Sequence, residues 1–411
     1  MTFVSKTRVA IAALAIAIAP AALAQDVAVR GDTLYTMADA PISDGVVVIE
    51  NGVITAVGPV ATTPIPEGMR VLAAPVVTPG LIDAHSTVGL AGYLNQSSDQ
   101  DQLENSEPIQ PQLRAIDAYN PREKLVEWVR ELGVTTLHTG HGPGALVSGQ
   151  TMVVKTTGDT VEDALLVDRA MIAANLGSMA YGDEGAAPGT RSKQIAMLRA
   201  ALVAAQNGTA PDSDEDDEDE NADATRDLAN EVMQDVLARR VPLMVTAWRE
   251  RDILNALRLA REFDIDVVID GAAEAYLVTD ELREAGVPVI LHPPRARQYG
   301  DLENASFTTA ATLRDAGIPF AFQSGYEGYV PKTRVVLWEA AVAAANGLGM
   351  EGALRAITID AARLIGVDDR VGSLEVGKHG DVAMFEGDPF ETTNRTTGVV
   401  IEGVVVSDQP R

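Results

Sequence analysis

Residues 78–90 read TPGLIDAHSTVGL, Thr78 to Leu90. An apolar run of strand length carries Asp83 and then His85 to its end. Side chains two apart on a strand face the same way, so Asp83, His85 and Thr87 share one side. A histidine at each of the last two positions would hold out paired imidazoles for a metal ion. The second position is Thr87, and a neutral hydroxyl is a poor zinc ligand. The stretch therefore describes either an enzyme with an altered site or an enzyme fold without its chemistry.

The sequence before this stretch is β-rich. Residues 45–58 form two β-branched runs around Asn51-Gly52, a strong short hairpin signal. The C-terminal end has the same texture in Asp381–Phe385 and Gly398–Val406. Two β-rich ends can pair into one small sheet domain. Between them strands and helices alternate. Val134–His138, Val241–Ala247, Asp266–Asp270, Val287–Leu291 and Ile318–Phe322 read as strands. Asp252–Arg261 reads as an amphipathic helix, and another helix is expected from about Glu274. Repeated β–α units predict a mostly parallel sheet, and their number predicts an α/β fold of the (β/α)8 TIM-barrel type.

Composition narrows the function classes. The chain has 411 residues, 46% of them hydrophobic, enough for a full core. There is no cysteine, so thiolate metal sites and cysteine nucleophiles are excluded. The first 24 residues have a basic start at Lys6 and Arg8, an apolar run, and Ala22-Leu23-Ala24 before Gln25. That pattern predicts a secretory signal cleaved after Ala24 and a secreted or periplasmic protein with no membrane association afterwards. The formal charge is −27, and removal of residues 1–24 with Lys6 and Arg8 leaves −29. Such a charge argues against nucleic acid as a partner. The acidic run at about 211–224 is expected to be a disordered loop.

Three motifs together, VVVIENGVITAVGP, VVTPGLIDAH and GSLEVGKHGDVAMFEGDP, resemble the amidohydrolase superfamily, in its exported imidazolonepropionase-like branch. The resemblance spans about residues 27–408. It implies a (β/α)8 barrel with a small β-sandwich built from both termini. The expected division is 25–77 plus 368–411 for the β-sandwich and 78–367 for the barrel. The resemblance also implies one or two divalent metals at the C-terminal mouth of the barrel. The ligands would be a His-x-His pair on the first strand, often a bridging Lys, one His on each of two middle strands, and an Asp on the last strand that also acts as base.

At the matching positions His85 is present but Thr87 replaces its partner. The strand ending at Trp248 offers Thr246 and Trp248, and an indole N–H only donates. Gly271 stands where the next strand would supply His. Gly325 stands where the last would supply the catalytic Asp. Lys155 is matched to the bridging Lys at the mouth. Hence the expectation is a protein that has lost the metal-dependent site, with no cofactor. It would act as a binding or partner subunit, as a homo-oligomer or beside an active paralogue.

The alternative is a hydrolase of C–N bonds in cyclic amides or dipeptide-like substrates, with one rearranged zinc or manganese site. In that reading His85, His138 and His141 are the metal ligands, and Asp270 and Glu327 are the catalytic carboxylates. Lys155, Trp248 and Tyr326 line the mouth in either case. Asp83 and Glu274 are further carboxylates near it, and His292 faces it. The glycine-rich loop 140–149 lacks the ending of a phosphate-binding loop, and no serine has a nucleophile-elbow context.

Overall fold

The computed structural model describes residues 26–94, 96–208, 227–294, 300–325 and 335–411. The expected signal peptide, the acidic loop at 211–224, Tyr326 and Glu327 lie outside the described residues.

The chain opens with β1 (Val27–Leu34), β2 (Ile42–Glu50), β3 (Val53–Pro59) and β4 (Arg70–Pro79). The hairpin between β2 and β3 turns at Asn51 and Gly52, with φ of 52° and 82°. Two successive left-handed residues make the turn that matches strand twist, which is why Asn-Gly signals it. Next come β5 (Leu81–Ser86), β6 (Val134–Thr139), β7 (Val147–Gln150), β8 (Met152–Lys155), β9 (Leu165–Val167) and β10 (Ile172–Asn175). Then follow β11 (Leu243–Ala247), β12 (Val267–Gly271), β13 (Val289–Leu291) and β14 (Phe320–Phe322). The chain ends with β15 (Val382–Phe385), β16 (Thr396–Ile401) and β17 (Val404–Ser407).

Both ends of the chain share one seven-stranded sheet, in the order β17-β16-β15-β4-β1-β2-β3. Its join is the antiparallel pair of β15 with β4, from Val382 opposite Pro79 to Phe385 opposite Val76. The remaining strands build the wall of a (β/α)8 barrel. One sheet runs β14-β13-β12-β11-β10-β7 and the other β5-β6-β8-β9. β7 and β8 are separated only by Thr151. The first half of this stave pairs with β10 and the second with β6, both antiparallel. On the far side β14 lies beside β5.

Strand alternation sorts the wall residues. Ile172, Leu243, Val245, Val267, Ile269, Val289, Leu291, Phe320 and Phe322 belong to the large core shared with the outer helices. Ile82, Ala84, Val153, Ala173, Met244, Val268, Ile290 and Ala321 form a separate core inside the barrel. That inner core is closed below by Ala361, Ala362, Ile365, Val367 and Val371. The interior is thus filled by layers of side chains, as a barrel of this size requires.

One sequence expectation is corrected here. Lys155 does not reach the mouth. Its stave runs antiparallel, with Lys155 opposite Thr136 near the start of β6, so it points to the other end of the barrel. There its ammonium is paired with Asp381 of the β-rich domain, and both side chains are buried. The second oxygen of Asp381 accepts the Glu402 N–H at 3.0 Å. Removing one partner of a buried ion pair strands the other without water. Lys155→Met is therefore expected to cost about 3–5 kcal/mol in urea unfolding. A loss below about 1 kcal/mol is the behaviour of an exposed pair and would contradict this geometry.

Candidate functional site

One step of two residues above the apolar layer, toward the C-terminal strand ends, the interior becomes polar. Asn175, Thr246, Asp270, His292 and Gln323 follow Ala173, Met244, Val268, Ile290 and Ala321. On the reversed stave Thr151 precedes Val153. All six polar residues are buried. The strand period places this layer, and the barrel supplies convergence that no single strand has.

Asp270 is its hub. The Thr246 hydroxyl donates to Oδ2 at 2.7 Å, and the Gln323 amide donates to Oδ1. His85 Nδ1 lies 3.0 Å from the same Oδ1. A carboxylate only accepts, so His85 carries a proton on Nδ1. Its Nε2 is buried and has no hydrogen-bond partner. The register jump between β5 and β6 from Asp83 to Ser86 accompanies the turn of the His85 ring toward Asp270. Asp83 Oδ1 accepts the backbone N–H of His85 at 3.3 Å and of Ser324 at 3.0 Å. It thereby ties the end of the first barrel strand to the end of the last.

His138 lies 5.8 Å from His85, ring centre to ring centre. Its Nδ1 donates to the Ala84 carbonyl at 2.6 Å. Its Nε2 accepts from the Thr151 hydroxyl at 2.6 Å. Burial, with the neighbouring His85 adding to it, pushes the His138 pKa down to about 3. His141 packs against Gly149, and burial alone lowers its pKa to about 4. Among the described residues neither of its nitrogens has a hydrogen-bond partner.

The two glycines at positions where the resemblance implies a ligand or base are covered. A Cβ on Gly271 would overlap the Trp248 indole at Nε1 and Cδ1. A Cβ on Gly325 would stand 2.5 Å from His292 Nε2. Both glycines have positive φ, 79° and 72°. Trp248 and His292 thus occupy the space that a side chain at those positions would need.

The expected metal site does not fit these residues. His138 has both nitrogens engaged, and Asp270 serves three donors. Among the described residues no group of three His, Asp or Glu side chains can hold a metal ion. Among the described residues, His85 Nε2 is a ring nitrogen at the hub with no hydrogen-bond partner. Glu274, a further carboxylate expected near the mouth, accepts from Glu250 N and Asn304 Nδ2, so it clamps loops. Sequence reading passed over Gln323 and Thr151. Their signal was a polar residue on a barrel strand two places from an apolar interior one.

Comparison with known proteins agrees with the architecture. The amidohydrolase family model matches residues 219–409. The amidohydrolase tasK of Hapsidospora irregularis is 23% identical over 395 residues, covering 89% of this chain and 40% of that protein. An imidazolonepropionase of Cupriavidus taiwanensis is 32% identical over 108 residues, 26% of this chain and 25% of the enzyme. The chain thus spans less than half the length of these two relatives. The crystal structure of an amidohydrolase from Thermotoga maritima superposes with a TM-score of 0.83 at 26% identity, covering 93% of this chain and all of that one.

Two outcomes follow from this packing. Gly271→Ala forces a methyl into the Trp248 ring at a left-handed backbone position. It should cost about 2 kcal/mol and shift tryptophan emission. Unchanged emission and stability would mean that Trp248 does not cover Gly271. The second outcome concerns pH. The pKa values of His138 and His141 are lower when folded than the ordinary 6.5. The unfolded chain therefore binds more protons below that value. Stability should be full above pH 6.5 and fall toward pH 4, by up to about 1.4 kcal/mol per pH unit for each histidine. Replacing both with Gln should flatten this slope in denaturant melts across that range.

Proposed function

We propose that the chain is an exported member of the amidohydrolase superfamily that has given up metal-dependent hydrolysis and serves as a binding or partner subunit. The observation that carries this reading is the repacking at the mouth. Where the superfamily resemblance implies a ligand and a base, this chain has Gly271 and Gly325, covered by Trp248 and His292. One lost ligand can be replaced from nearby. Here the neighbours are committed elsewhere, His138 to Ala84 and Thr151, and Asp270 to His85, Thr246 and Gln323.

The partner in this reading is a second copy or an active paralogue. Support comes from the tasK match, in which this region accounts for 40% of a longer protein. Fold alone carries no activity, because the site decides it.

Metal content of the mature protein, prepared without chelators or a histidine tag, tests the reading by mass spectrometry. The expected result is no stoichiometric zinc or manganese, before or after incubation with either ion. Stoichiometric metal together with an amide-hydrolysing activity lost on chelation would overturn it.

A further inference from the structure

Two of the three tryptophans of the chain meet on the outside of the barrel. Trp128 belongs to the helix Lys124–Glu131, between β5 and β6. Trp338 belongs to the helix Val336–Ala343, beyond β14. Because β14 lies beside β5, closure of the barrel brings these two helices to the same side. The indoles touch edge to face, with ring centres 6.3 Å apart. Trp128 is half-buried, whereas Trp338 is 44% exposed. Trp128 also lines a surface cavity of about 460 Å³, together with Tyr93 and Leu125. Tyr93 is exposed, and Leu94 next to it is 57% exposed. Aromatics make up only 4% of the chain, and the core is filled mostly by aliphatic side chains. Three of so few rings gathered at one exposed place mark a contact surface.

Shape and charge identify the occupant. The patch carries a projecting ring, Trp338, and a recess, the cavity beside Trp128. A surface that binds its own copy across a twofold axis must carry both halves of each contact, and this one does. The formal charge of the chain is −27, so two copies repel each other where average surfaces meet. At the edge of the cavity Lys124 and Arg411 stand with Glu127 and Glu131, and these side chains sum to zero. Lys124 lies over the Tyr93 ring, 5.0 Å from its centre, and Arg411 is paired with Glu131 at 2.6 Å. Both signs are therefore held in place at the edge. Turned end for end by a twofold axis, the edge sets the cations of one copy toward the carboxylates of the other. A strongly basic or strongly acidic partner would find no excess of opposite charge here.

We propose that the face built from Tyr93, Leu94, Trp128 and Trp338 docks a second copy of the chain, with the exposed Trp338 ring of each copy entering the cavity beside Trp128 of the other. This rests on the reading of the chain as a partner subunit and names its partner. Burial of the rings supplies the attraction, and the balanced edge removes the repulsion that the rest of the surface imposes.

Sedimentation equilibrium of the mature protein over about 1–100 µM reads the association. The expected result is a two-chain mass at the upper end that falls toward a single chain on dilution. Trp338→Ala and Leu94→Glu should each weaken association at least about tenfold, the loss of one interface anchor. Leu94 is the more exposed of the two, so its variant keeps the test valid if Trp338→Ala disturbs the fold. Leu277→Ala, at a residue 50% exposed beyond β12, should leave association unchanged.

A single-chain mass at every concentration overturns the proposal, and so does a dimer that neither variant weakens. Zinc and manganese content of the same sample keeps this inference apart from the reading it rests on. A metal-free monomer overturns the docking surface alone. A dimer that the variants weaken, but that holds stoichiometric metal and hydrolyses amides, overturns the proposed loss of hydrolysis and leaves the docking surface standing.

Discussion

A carboxylate placed inside a barrel loses its hydration and has to receive hydrogen bonds in return, and the mouth of this protein is organised around that requirement at Asp270. Three donors from separate parts of the wall meet it: His85 from β5, Thr246 from β11 beside Asp270's own strand, and Gln323 from just beyond β14. The same contacts that satisfy the carboxylate place a proton on His85 Nδ1. They also use the lone pairs that a metal would need. Asp83 works in parallel, holding the backbone of both His85 and Ser324. Two aspartates thus set the geometry of the site, one through side chains and one through main chain.

Around this hub the glycines at two positions where the resemblance implies a ligand are covered by packing. Interiors are close-packed, so a deleted side chain leaves either a cavity or a new occupant. At Gly271 and Gly325 the occupants are Trp248 and His292. The layer below is apolar and continuous, and it is closed at the bottom by the segment around Ala361 to Val371. The barrel and its mouth are present, and the polar groups at the mouth are hydrogen-bonded to one another. Superfamily membership and the proposed loss of hydrolysis are compatible for that reason.

The reversed stave shows where a strand pattern stops being informative. The resemblance matches Lys155 to a bridging lysine at the mouth, where the C-terminal end of a parallel barrel strand would lie. Direction decides otherwise. Because this segment runs antiparallel to both neighbours, its C-terminal end is at the bottom, and Lys155 joins the barrel to the β-rich domain through Asp381. Periodicity reports which residues share a face, and it is blind to which way the strand travels.

Much of this protein was legible in the residues themselves. Local chemistry marked the Asn51-Gly52 hairpin, because few residues tolerate two left-handed positions in succession. Hydrophobic alternation marked the barrel strands around Thr246, Asp270 and Phe322. The departures from the superfamily pattern at Thr87, Gly271 and Gly325 were visible because the surrounding motif is intact. Tertiary structure alone decided which polar residues meet. His85, Thr246, Asp270 and Gln323 are far apart in sequence and converge only when the barrel closes. The commitment of both His138 nitrogens, the covering of the two glycines and the destination of Lys155 all depend on neighbours from other strands. A sequence lists donors and acceptors, and only closure of the sheet determines which of them are within reach of each other.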